Sequence, residues 1–103
     1  MLGELEMRKA LTIAGVDSGG GAGIIADIKT FSALGVWGMA VVTSVTAQNT
    51  QGVYAIQDIS PKVIAAQIKA VVNDIGVDAA KTGMLKTKEI IRVVAKELLS
   101  LSL

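Results

Sequence analysis

The chain contains no cysteine and no histidine. Without thiols there can be no disulfide, thiolate nucleophile or thiolate metal ligand, and without imidazole there is neither a histidine metal site nor a histidine general base. Chemistry is left to carboxylates, hydroxyls, amides and the backbone. Aromatic residues make up only 3% of the chain, so a core has to be built from Ile, Val, Leu and Ala, the usual filling between helices and a buried sheet. A charge excess is missing too: 10 Lys and Arg against 9 Asp and Glu give a net charge of +1, with both signs dispersed, and no basic stripe suited to nucleic acid results. No apolar run reaches the roughly 18 residues of a membrane span, and the opening "MLGELEMRK" carries acids where a signal peptide carries an apolar stretch. We therefore expect a cytoplasmic protein with small-molecule partners, engaging neither nucleic acid nor membrane.

What is present points to alternating strands and helices. A length of 103 residues suffices for one hydrophobic core. "KALTIAG", Lys9 to Gly15, reads as a buried strand ended by glycine. Ile24, Ile28 and Phe31 then recur at helical spacing among alanines, and Leu34-Gly35 supplies a stop, so the spacing predicts a helix over 22–34. Gly38 to Gln48 is continuously apolar and β-branched, which suits a strand covered on both faces. "NTQG" (Asn49 to Gly52) is turn chemistry, and Val53 to Ile59 alternates like a short extra strand with one wetter face. Ser60-Pro61 opens a helix with a stripe of Ile64, Ile68, Val71, Val72 and Ile75, ended by Gly76. Val77 to Gly83 reads as a third core strand, and Thr87 caps a last helix whose inner face would be Ile90, Ile91, Val94 and Leu98.

This order predicts a three-layer α/β/α sandwich on a mostly parallel sheet with right-handed crossovers. Residues 1–8 are expected to form a loose tail, and Met7 is a possible alternative start. At the other end "KELLSLSL" stops while still apolar. A sheet of three or four strands leaves an edge that needs more chain or a partner, so we expect residues 9–103 to be a portion of a larger domain, and a homodimer or higher oligomer.

The glycine-rich stretch between the first strand and first helix, "GVDSGGGAG" (Gly15 to Gly23), invites a phosphate-loop reading. A P-loop beginning at Gly15 would need Lys and Ser or Thr where Gly21-Ala22 stand, so the charge that meets the phosphates is missing. A G-x-G-x-x-A does occur over 21–26, but six residues beyond Gly15, and the second strand ends in Thr43, Ser44, Thr46 and Gln48 with no acid to hold a ribose. Two readings stay open: a loop whose small residues let a ligand approach the backbone, or a tight connection that allows close helix packing. Other candidates fall at the same strand ends. Gln48 and Asn49 offer amides that match the edge of an aminopyrimidine, or simply turn residues; Asp17 and Asp27 lie in or just after the loop, the latter where a helix favours a carboxylate anyway; Met84 follows the third strand as ligand wall or core.

"ALTIAGVDSGGGAGIIADIKTFSALGVWGMAVVTSVTAQNTQGV" together with "DAAKTGML" resembles the N-terminal part of the hydroxymethylpyrimidine/phosphomethylpyrimidine kinases, thiamine-pathway members of the ribokinase-like superfamily. Val16 and Ile25 depart from the usual family residues. The resemblance implies a ribokinase-like fold and ATP- and Mg2+-dependent phosphorylation of 4-amino-5-hydroxymethyl-2-methylpyrimidine and its monophosphate. It also implies that Gln48 reads the pyrimidine, Gly15 lets the ring approach the backbone, Asp27 bonds its polar groups and Met84 packs on the ring. The family's anion hole and catalytic residue lie in its C-terminal half, so the resemblance implies no catalytic residue and no metal ligand here. An alternative is a noncatalytic small-molecule-binding or assembly module derived from the same fold.

Overall fold

A computed structural model describes residues 7–101. The expected tail over 1–8 falls mostly outside these residues; Arg8 is already tied in, its carbonyl accepting from the Trp37 N–H at 2.9 Å. The described chain runs β1 (Lys9–Asp17), α1 (Gly23–Ala33), β2 (Trp37–Gln48), β3 (Val53–Asp58), α2 (Pro61–Asp74), β4 (Ala79–Thr82) and α3 (Lys88–Leu99). The sheet order is β3-β2-β1-β4. β1 is parallel to both neighbours, and β3 is antiparallel to β2.

Alternation along β1 decides the layers. Leu11 and Ile13 point to one face, where they form the main core with Met39, Val41, Ile64, Ile68, Ile90 and Val94, so α2 and α3 cover that face. Each such side chain removed from water stabilises by about 1.5–3 kcal/mol. Thr12 points the other way and bonds Asp27 on α1. The result is the three-layer sandwich expected. Its connectivity has a physical logic: the chain steps from β1 to β2 through α1, then reverses across β1 to reach β4 through α2. A constant crossover hand then puts the two helices on opposite faces. Connections after β1 and β4 thus depart to opposite faces, the arrangement that in open α/β sheets marks the ligand crevice at the carboxyl ends of such strands.

The local signals in the sequence act where expected. Ser60 Oγ accepts from the Val63 N–H at 3.3 Å with Pro61 at the first helical position, and Thr87 Oγ1 accepts from the Ile90 N–H at 3.1 Å. Three expectations are corrected. The third core strand is a four-residue edge strand, mostly exposed, because the sheet ends at β4 among the described residues. All of β3 is exposed, since the helices pack on β1 and β2 rather than over it. Ile91 is 49% exposed: Ile90 and Val94 lie one turn apart on the inner line, and Ile91 is rotated about 100° away from it.

Candidate functional site

The glycine loop is built around its own carboxylate. Asp17, 8% exposed at the end of β1, accepts from the Gly19 N–H at 2.7 Å and the Gly21 N–H at 3.0 Å through its side chain, and from the Gly20 N–H at 2.9 Å through its carbonyl. Three successive amides that could have cradled an anion are therefore engaged by one residue. Gly23, with φ +61°, then folds the chain back so closely that a Cβ there would lie 2.3 Å from the Gly15 carbonyl oxygen. The small residues thus serve both close packing and loop closure.

At the carboxyl end of β1 the sheet register skips. Ala14 pairs with Val42, but Gly15 pairs with Ser44, which leaves Thr43 as an extra residue on β2. Such a bulge re-aims neighbouring groups. Thr43 Oγ1 donates to the Met84 carbonyl at 3.1 Å and so ties the segment after β4 to the bulge. Gly83 N–H donates to the Ile13 carbonyl at 2.9 Å, and a Cβ at Gly83 would meet the Ala14 Cβ at 2.7 Å. Met84 is thereby laid across β1. Its Cε lies 2.9 Å from where a Cβ on Gly15 would stand, so a side chain at Gly15 would displace it. Met84 remains 44% exposed and forms one wall of the crevice over a backbone floor at Gly15.

Gln48 is tied to the glycine loop. Its N–H donates to Ser18 Oγ at 2.8 Å, and the Ser18 hydroxyl donates back to the Gln48 carbonyl at 2.7 Å, pinning the end of β2 to the glycine loop. Thr46 Oγ1, itself bonded to the Val16 carbonyl at 2.7 Å, lies 3.0 Å from the Gln48 side-chain amide. Asn49 takes a different role: its Oδ1 accepts from the N–H groups of Gln51 and Gly52, so its amide is used in the turn.

Asp27 sits one helical turn beyond Gly23 on α1. Its carboxylate accepts from Thr12 Oγ1 at 2.6 Å and from Lys81 Nζ at 2.9 and 3.1 Å, linking α1, β1 and the edge strand β4. Burial raises its pKa, but the Thr12 hydroxyl and the Lys81 ammonium outweigh that and hold it below the ordinary carboxylate value. The structure therefore brings Gly15 and Met84 into contact, ties Gln48 to Ser18 and Thr46 at the glycine loop, and gives Asp27 two partners that sequence reading missed. Neither partner has a sequence signal: Thr12 sits inside a strand and Lys81 lies 54 residues beyond Asp27. A groove between α2 and α3, lined by Ile68, Val72, Glu97 and Leu101, contains none of these residues.

The family described as phosphomethylpyrimidine kinase matches residues 17–103. The chain belongs to that family. It is 57% identical over 86 residues to a hydroxymethylpyrimidine/phosphomethylpyrimidine kinase from Rhizobium meliloti (strain 1021), covering 84% of this chain but 32% of that relative. The crystal structure of a phosphomethylpyrimidine kinase from Clostridium difficile 630 superposes with a TM-score of 0.87 at 53% identity, covering 89% of this chain and 40% of the other. A pyridoxal kinase from Staphylococcus aureus, solved in complex with AMP-PCP and pyridoxal, gives a TM-score of 0.83 at 35% identity, with 93% of this chain and 36% of that one covered. The chain thus spans about a third of the length of the curated relatives it matches.

The residues described do not fit a magnesium–nucleotide group. The Gly19, Gly20 and Gly21 amides are bonded to Asp17, and no three His, Cys, Asp or Glu side chains gather into a metal site among the described residues. Nor is any helix among them long and apolar enough to cross a membrane.

Proposed function

We propose that this chain forms the pyrimidine-binding side of an ATP-dependent phosphotransferase acting on 4-amino-5-hydroxymethyl-2-methylpyrimidine and its monophosphate in the cytoplasm. The observation that carries this reading is the Gly15–Met84 contact at the carboxyl end of β1, with Gln48 tied to the glycine loop that follows that strand. Backbone floor, thioether wall and amide together suit a flat, polar-edged ring, and they lie at the strand ends where open α/β sheets hold ligands. Membership in the phosphomethylpyrimidine kinase family supplies the reaction class.

Phosphoryl transfer further requires donors for the transferred group, a nucleotide with its metal, and a group that takes the acceptor proton. Those parts belong to the two thirds of the relatives' length that this chain does not cover, so the chain binds and orients the acceptor without turning it over. Asp27, held ionised by Thr12 and Lys81, contributes a fixed carboxylate under the acceptor. The exposed apolar side chains of β3, Val53, Tyr54 and Ile56, support self-association into a homodimer or higher oligomer. The test is direct: purified chain given the pyrimidine, ATP and Mg2+ should bind the pyrimidine and consume no ATP. ATP consumption dependent on the pyrimidine would overturn the division of the site.

A further inference from the structure

Thr46 has one hydroxyl proton and two apparent claims on it. Its Oγ1 lies 2.7 Å from the Val16 carbonyl oxygen and 3.0 Å from the side-chain amide of Gln48, on the atom placed as Oε1. The Val16 carbonyl can only accept, so it takes the proton at the shorter distance. What faces Oγ1 from Gln48 must then be a donor. The oxygen and nitrogen of a primary amide are distinguished by such bonding, and a half-turn about the last side-chain bond exchanges them. With Nε2 toward Thr46, one N–H satisfies the hydroxyl oxygen, while Oε1 and the second N–H face away from it.

We propose that Thr46 is a specificity-determining positioning residue: by accepting from Nε2 it makes Gln48 present a carbonyl beside a single N–H. This inference rests on the reading of Gln48 as the residue that meets the ring. That edge complements a ligand offering an amino donor next to a ring-nitrogen acceptor, as a 4-aminopyrimidine does. The opposite amide orientation exchanges the two groups, setting an N–H where the amino group would lie and the carbonyl where the ring nitrogen would, and so suits a 4-oxo ring with its N–H. Thr46 is 4% exposed and its proton has a fixed acceptor in the β1 backbone, so the orientation is set before any ligand arrives.

Two measurements test it. In the unliganded, isotope-labelled chain, the Gln48 Nε2 protons should show nuclear Overhauser contacts to Thr46 Hβ and one of them should be shifted downfield; Thr46→Val should abolish the shift and Thr46→Ser keep it. Absence of those contacts in the unsubstituted chain overturns the orientation. Separately, 4-amino-5-hydroxymethyl-2-methylpyrimidine should bind about tenfold more tightly than its 4-oxo counterpart, with the ratio falling to within about twofold in Thr46→Val and preserved in Thr46→Ser. An unchanged ratio in Thr46→Val, with the chain still folded, overturns the specificity role. Failure of the unsubstituted chain to bind either compound refutes the pyrimidine-binding reading and the specificity role together, while the amide contacts still decide the orientation independently.

Discussion

Replacing Gly23 with alanine separates two costs that the β1–α1 junction imposes. The first is conformational: φ is +61° there, and an alanine in the left-handed region costs about 1–2 kcal/mol. The second is steric, because the new Cβ would stand 2.3 Å from the Gly15 carbonyl oxygen, a backbone atom that cannot swing aside. Overpacking of this kind costs about 1–3 kcal/mol more. The sum, about 3 kcal/mol, should lower the thermal midpoint by more than about 10 °C in a domain of this size. Gly35→Ala is the control, since Gly35 has φ +72° and nothing within 4 Å of its would-be Cβ; it should cost only the conformational part. Gly15→Ala is the second control, for it displaces only the flexible end of Met84 and should cost less than about 1 kcal/mol. Urea unfolding followed by circular dichroism gives all three. Equal losses for Gly23→Ala and Gly35→Ala would refute the close approach of α1 to β1.

Asp17→Ala leaves the Gly19 and Gly21 amides without their carboxylate and should cost about 1–3 kcal/mol in urea, with amide exchange accelerated through the loop. Gln67 should matter nearly as much: its amide bonds both the N–H and the carbonyl of Val42 at 2.9 Å, and Gln67→Leu should cost about 1–3 kcal/mol by the same assay. The lowered pKa of Asp27 contributes stability that is present above the unfolded carboxylate value and is lost as pH falls through the folded value. Urea midpoints of Asp27→Asn should accordingly lack that part of the parent's decline between about pH 5 and pH 2, and an identical decline in both proteins would contradict the Thr12–Lys81 account.

The elements were legible because their signals are local. A 3.6-residue period marks the Ile64–Ile68 line, Ser60 and Thr87 are caps that act within one turn, and the β-branched run of β2 marks a strand, although Val45 is 47% exposed where both-sided cover was expected. Edge positions were not legible. Exposure of β3 and β4 depends on which elements lie beside them, and a short apolar run does not encode its neighbours. The candidate site divided along the same line. Gly15, Gln48 and Met84 could be picked out at strand ends, whereas the Thr43 bulge, the Ser18 clamp on Gln48 and the Lys81–Asp27 pair join residues 30 to 54 positions apart and exist only once the sheet has formed. Gln67 belongs with them: it serves Val42 just where β3 has ended, a need created by topology alone. The glycine run was legible as a loop but not in its purpose, because nothing in its spacing says that Asp17 fills it.

The claim that most needs testing is that the crevice between the ends of β1 and β4 holds the pyrimidine. Titration of 4-amino-5-hydroxymethyl-2-methylpyrimidine into isotope-labelled chain, followed by amide and methyl shifts, reports the location directly. Saturable shifts should appear at Gly15, the loop from Asp17 to Gly23, Gln48 and the Met84 methyl, and Gln48→Ala should weaken the affinity by about tenfold. Shifts confined to the groove between α2 and α3, or an affinity unchanged by Gln48→Ala, would contradict it.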